Sequence, residues 1–222
     1  METSKAPIKI IDAVVNLQTP EALEHRPSDR KAFYVDKMNV DTKIFEGVTL
    51  DHLLSLMDES NVVKAFLIAA KIGQIGLLGS YHLPYEIVNE AIKKVPKRLY
   101  GLAGIDPTEG MGGVFEFERA VKDYGFIGAH CYPHWFELEP DHRKFYPFYS
   151  KCVELDVPIQ IQVGQSLIYS PSAPKRSTGR PICLDTVACD FPELKIIGIH
   201  IGIPWHDEMI AMAWKHPNIF IG

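Results

Sequence analysis

The sequence predicts an α/β fold of the (β/α)8, TIM-barrel type, incomplete, with strands one to seven present in the 222 residues and the eighth missing. Two observations lead there. Short apolar runs alternate with amphipathic stretches of helical period along the whole chain, which means a parallel sheet. The two faces of those runs also differ: one is apolar, the other collects small and polar residues. A doubly wound sheet is covered by helices on both sides and would be apolar on both. A barrel keeps polar and small groups inside, beneath the mouth of a site.

The elements follow in order. The first strand runs from Ile8 to Asn16, and a long polar loop extends to about Val48. Thr49 can cap a helix that places Leu50, Leu53, Leu54 and Met57 on one side. The second strand is Val62–Ala70. A helix over about Pro84–Val95 turns Val88, Ala91, Ile92 and Val95 inward. The third strand is Leu99–Ile105, followed by a helix near Val114–Tyr124. The fourth is Phe126–Tyr132, followed by a helix over roughly Asp141–Leu155. The fifth strand is Pro158–Val163. A Ser/Pro/Lys/Arg-rich loop then leads to a helix near Ile182–Phe191. The sixth strand is Lys195–Ile201, the next helix His206–Lys215, and Ile219–Ile221 begins a seventh strand.

The face assignment rests on alternation. Ile159, Ile161 and Val163 oppose Gln160, Gln162 and Gly164. Ile197, Ile199 and Ile201 oppose Gly198, His200 and Gly202, and the polar set is expected inside. On the fourth strand the inside set is Gly128, His130, Tyr132 and His134; on the first it includes Asp12 and Asn16. Residues 1–222 read as a single barrel domain. With no eighth strand, the sheet edges would stay unpaired, so the chain is expected to be a C-terminally truncated piece of a longer protein.

Composition limits the function. The net charge is −5 and the pI is near 6.0, with no basic stripe to neutralise phosphates, which argues against nucleic acid. The N-terminal Met-Glu-Thr-Ser-Lys is polar, without the apolar core of a secretory signal. Apolar runs are strand-sized, well short of the roughly 20 residues of a membrane span. Cys131, Cys152, Cys183 and Cys189 show no CxxC spacing and read as free thiols in a cytoplasmic protein.

Polar residues at or just past strand ends are the site candidates: Asp12, Asn16, Lys71, Asp106, His130, Tyr132, His134, Gln162, Gln165, His200 and Trp205. His200 is foremost. Its glycine neighbours leave room for a ligand, and a neutral imidazole can act as general acid or base near pH 7. His130 is the second catalytic candidate. Asn16, Tyr132, His134, Gln162 and Trp205 are read as substrate-binding. Arg180, with Arg176 nearby in the loop after the fifth strand, could clamp a carboxylate. Each has a plainer alternative: a hydrogen-bonded core side chain for the histidines and Gln162, a solvated side chain for the arginines.

Two stretches carry a family resemblance. One is Gly125-Phe-Ile-Gly128, then Tyr132-Pro133 and the run from Asp141 to Tyr149. The other is Pro192 to Trp205, with Lys215-His-Pro-Asn-Ile-Phe-Ile221 after it. With Ile11-Asp12 they resemble the amidohydrolase-related family, which includes enzymes of the aminocarboxymuconate-semialdehyde and resorcylate decarboxylase type. The resemblance implies a (β/α)8 barrel and, usually, a divalent metal such as zinc. The family's first-strand pattern is Asp-x-His-x-His, where this chain has Asp12-Ala-Val14-Val-Asn16. Its fifth-strand metal histidine falls at Gln162, and its sixth-strand acid–base histidine at His200. Its eighth-strand aspartate lies beyond Gly222. Valine cannot coordinate and neutral amides are weak zinc ligands, so the ligand set is degraded and no metal ligands are assigned.

Two functions follow. The first is an enzyme acting on a small, carboxylated organic substrate by hydrolysis or non-oxidative decarboxylation, with histidine acid–base chemistry. The second is a non-catalytic relative that binds a ligand or partner. His200 separates them, because a mere binder has no need of it beside small residues. A homo-oligomer is compatible with either.

Overall fold

Alternating β-branched and small residues build the sheet. The computed structural model describes residues 8–27, 32–166 and 174–222. The polar N-terminal pentapeptide and part of the Ser/Pro/Lys/Arg-rich loop lie outside the described residues. The main strands are β1 (Ile10–Asn16), β2 (Val62–Ala69), β5 (Leu99–Gly104), β6 (Gly128–Cys131), β7 (Ile159–Gln162), β8 (Ile196–Ile199) and β9 (Ile219–Ile221). They pair in parallel in the order β1-β2-β5-β6-β7-β8-β9. Each strand therefore neighbours the next one in sequence. A doubly wound sheet reverses its order at a switch point, and this one never does.

The sheet is rolled. Gln160 Nε2 on β7 donates to the carbonyl oxygen of Ala13 on β1 at 2.8 Å. Four inter-strand steps of about 4.8 Å would hold those strands about 19 Å apart in a flat sheet, far beyond a glutamine's reach. Curling also separates two apolar layers. Ala65, Leu67, Ala69, Ala129, Ile159, Ile161 and Ile196 pack outward against the helices. Ile68, Ala70, Ile72, Leu102 and Tyr132 form a smaller inner cluster, with half-buried Val14 against it.

The helices are α1 (Pro20–Leu23), α2 (Leu50–Glu59), α3 (Tyr85–Lys94), α4 (Gly110–Tyr124), α5 (Tyr146–Glu154), α6 (Leu184–Asp190) and α7 (His206–Lys215). Thr49 Oγ1 caps α2 by accepting from His52 N. Gly125, at φ 70°, ends α4 in the left-handed conformation. None of the described helices is long and apolar enough to cross a membrane.

Three expectations shift. α4 starts at Gly110, before Val114, and a Cβ on its Gly113 would come within 3.2 Å of the Phe148 ring. α5 starts at Tyr146 rather than Asp141, after a run of turns. The loop after β2 holds a two-residue hairpin, β3 (Lys71–Ile72) with β4 (Tyr81–His82), too short for any periodicity to show.

Candidate active site

At the C-terminal ends of the strands lies a cavity of about 660 Å³. Asn16, Tyr132, His134, Gln162, Gln165 and His200 line it, so six of the sequence candidates meet in one place. Phe33, Tyr34, Tyr81 and Trp135 add aromatic walls, and Arg26 adds a guanidinium.

The route by which His200 arrives differs from the alternation argument. Gln160 pairs with Ile197 and Gln162 with Ile199, so Ile197 and Ile199 face the interior. Gly198 faces outward, its missing Cβ leaving room for Met209, and Gly202 does the same for Pro181. The two glycines thus make room for neighbouring side chains rather than for a ligand. His200 joins the cavity because the chain leaves β8 in the left-handed region, with φ of 71° at His200, 51° at Ile201 and 75° at Gly202. Burial lowers the His200 pKa, so its neutral form persists below the usual value.

His130 lies beneath the cavity rather than on its wall and is fully buried. Its ring sits 4.4 Å from that of Tyr132, centroid to centroid, and its Nδ1 bonds Gln160 Oε1 at 3.0 Å. Burial pulls its pKa down to about 4, with the His200 charge acting in the same direction. His134 sits on the short 3-10 turn Pro133–Phe136, and burial likewise lowers its pKa to about 4. Three buried atoms around this site, His130 Nε2, His134 Nδ1 and Gln162 Oε1, have no hydrogen-bond partner among the described residues.

Several candidates belong elsewhere. Arg180 pairs with Glu208 and lies 5.6 Å over the Trp205 ring, and neither Arg180 nor Trp205 is on the cavity wall. An acidic partner on α7 holds the arginine that the loop sequence offered as a carboxylate clamp. Lys71 is buried and bonds Glu109 at 2.6 Å and Glu116 at 2.5 Å. Asp106 accepts from the Thr108 amide and hydroxyl, forming a turn after β5. Asp12 is exposed and accepts from Val14 N. The guanidinium on the cavity wall is instead that of Arg26. Its Nη2 donates to Leu17 O, it lies 5.6 Å over the Tyr81 ring, and its buried Nε has no partner among the described residues. Arg26, Tyr34 and Tyr81 escaped the sequence reading because they sit in connections with no period to assign a face.

A model of the family described as amidohydrolase matches residues 79–221. The chain belongs to the amidohydrolase family. Within it, a 2-keto-4-carboxy-3-hexenedioate hydratase from Sphingobium sp. (strain NBRC 103272 / SYK-6) is 36% identical over 111 residues, taking in 42% of this chain and 31% of the hydratase. The chain thus matches under a third of that relative's length. An uncharacterised TIM-barrel protein from Bordetella bronchiseptica superposes with a TM-score of 0.73 at 20% identity, over 96% of this chain and 74% of that one. A 5-carboxyvanillate decarboxylase from Novosphingobium aromaticivorans, complexed with manganese and 4-hydroxy-3-methoxy-5-nitrobenzoic acid, gives 0.69 at 16% identity, over 93% and 68%. These likenesses establish the barrel fold.

A divalent metal such as that manganese does not fit the positions available to this amidohydrolase-family chain. Val14 packs into the inner apolar cluster and has no donor atom. Asn16 and Gln162 offer only neutral amides. Among the described residues, three groups of His, Cys, Asp or Glu come close enough together to hold an ion: Asp185/Cys189/His216, His82/Asp106/Glu109 and Glu139/Asp141/Cys183. None includes a cavity-lining side chain.

Proposed function

We propose that this amidohydrolase-family chain carries the site of a lyase, a decarboxylase or hydratase, for a small aromatic or unsaturated carboxylic acid. The observation that carries the reading is Arg26: a guanidinium on the wall of an aromatic-lined cavity shared with His200, its buried Nε without a partner among the described residues. A carboxylate complements that guanidinium in charge. Tyr34, Tyr81, Tyr132 and Trp135 offer flat faces to a conjugated body. His200 stands where a proton must move. In decarboxylation the C–C bond electrons stay on the ring or vinyl carbon, and a proton replaces carbon dioxide. In hydration the α carbon takes the proton and water adds to the β carbon. Both need an imidazole that is largely neutral at pH 7 but still able to carry a proton, which suits His200.

The relatives support the same class, one a hydratase and one a decarboxylase. Lyase chemistry is placed ahead of hydrolysis on the reactions of those two relatives. The reading carries with it a cytoplasmic location and a small-molecule partner, with no nucleic acid or membrane in its chemistry.

The test is turnover of a panel of hydroxybenzoates, carboxyvanillate and unsaturated keto-dicarboxylates, followed by ultraviolet absorbance. His200→Asn should lower kcat by roughly 10²–10⁴-fold. Arg26→Met should raise KM by about tenfold or more, the usual weight of a charge-assisted bond. Saturable, Arg26-dependent binding without turnover would favour the non-catalytic reading. Full turnover in His200→Asn would remove that residue from the chemistry.

A further inference from the structure

On the outside of the barrel, away from the cavity, two helices bring together an aspartate, a cysteine and a histidine. Asp185 and Cys189 stand four residues apart on α6, so they share one face of that helix. His216 follows the last residue of α7, just ahead of β9. One ligand atom from each of the three lies within 4.8 Å of the other two. His216 Nε2 and Asp185 Oδ1 are 2.6 Å apart. A carboxylate only accepts, so in the metal-free chain Nε2 carries the ring proton. The His216 side chain is 10% exposed and Cys189 lies at the surface, so the group has a buried back and an open front.

These three ligand types together suit zinc. Thiolate sulfur is a poor ligand for magnesium or calcium, whereas zinc accepts sulfur, imidazole nitrogen and carboxylate oxygen alike. Zinc–ligand lengths of about 2.0–2.3 Å set the ligand atoms of a tetrahedral site roughly 3.3–3.6 Å apart. The three side chains need shift by only about 1 Å to reach that spacing. Of the other two groups of this kind, His82/Asp106/Glu109 already has the buried Lys71 ammonium 2.6 Å from Glu109. In Glu139/Asp141/Cys183, burial and then the two carboxylates push the thiol up to about 11, which opposes the thiolate. Lys215 does reach Asp185 Oδ1, at 2.5 Å, but its side chain is half exposed and free to turn into solvent.

We propose that Asp185, Cys189 and His216 form a zinc site that clamps α6 to the end of α7, with water in the fourth position. On binding, the thiol releases its proton to solvent, and the imidazole proton passes to Nδ1 so that Nε2 can ligate. Thiolate and carboxylate then balance the two positive charges of the ion. His216 leads into the start of β9, the barrel face opposite the cavity, and that face serves stability rather than catalysis.

The test uses the 222-residue chain, stripped with a chelator and titrated with zinc by calorimetry and with cobalt(II) by absorbance. One equivalent of zinc should bind, and cobalt should show the near-ultraviolet charge-transfer band of a thiolate ligand. Cys189→Ser, a change at an exposed position, should lose that band and weaken zinc by about tenfold or more. His216→Gln, which can still donate to Asp185, should weaken zinc to a similar degree. Lys215→Met should tighten it, because the competing ammonium is gone. The unfolding midpoint should rise with zinc in the wild type and stay level in Cys189→Ser. His200→Asn and Gln162→Leu, both in the cavity, should bind zinc as the wild type does. No stoichiometric binding, or a charge-transfer band that survives Cys189→Ser, overturns the proposal. Zinc binding lost in the cavity variants overturns it as well, by placing the ion in the cavity.

Discussion

His200 and Ile201 hold positive φ at the point where β8 ends, and both are L-residues that ordinarily avoid it. A β-branched side chain such as Ile201 is strained there, and such strain costs of order 1–3 kcal/mol per residue unless the surroundings impose it. Here the turn carries the imidazole to the cavity. Asparagine tolerates the left-handed region well, so His200→Asn should remove the proton-carrying group while leaving the unfolding midpoint nearly unchanged. The pH profile gives an independent check. Because burial lowers the His200 pKa, the neutral ring survives below pH 6.5, and the acid limb of kcat/KM should fall on the acid side of that value. An acid limb above pH 6.5 would contradict His200 as the base.

Among the elements, β5 shows how closely the inner strands approach. A Cβ at Gly104 would collide with the backbone at Ala69 and Lys71, which no rotamer change can relieve. Gly104→Ala should therefore destabilise the chain by more than about 2 kcal/mol or prevent folding, as read from urea unfolding. Gly112→Ala, with nothing near its Cβ, is the control and should be neutral or slightly stabilising. Just beyond β2, the buried ammonium of Lys71 is held between Glu109 and Glu116 of the α4 region. That arrangement ties the strand end to the helix and explains a charged residue in an otherwise apolar run.

Rolling of the sheet gives the whole molecule an acid-sensitive interior. His130 and His134 stay neutral in the folded chain down to about pH 4. In the unfolded chain each charges near pH 6.5. Between those values the unfolded state binds more protons, so stability falls as pH falls, by about 2 kcal/mol per histidine at pH 5 and about 3 at pH 4. Most carboxylates titrate below this window. Urea unfolding should show a loss of several kcal/mol between pH 7 and pH 5, roughly halved in His134→Asn. A stability unchanged between those pH values would mean that the histidines are already charged or are solvated in the folded state.

The strand and helix order, the barrel class and the gathering of Asn16, Tyr132, His134, Gln162 and His200 were all legible in the sequence, because side-chain period reports which face a residue takes while the backbone stays regular. Periodicity failed where the backbone departs from regularity. His200 was placed inward through the wrong face of β8, since the alternation there is interrupted by a left-handed turn that no period encodes. Arg180 and Trp205 were drawn to the site by their place after strands, but Glu208 on a neighbouring helix claims the arginine. Arg26, Tyr34 and Tyr81 were missed in irregular segments. Gln160 was legible as an inward polar residue, but not as the link between Ala13 and His130. The amino-acid sequence by itself determined the elements, their order and the inward face of most strands, through local period and propensity. Only the tertiary structure decided which loop side chains close the cavity and that Gln160 bridges Ala13 and His130, because both depend on contacts between residues up to 147 positions apart that exist once the sheet has rolled.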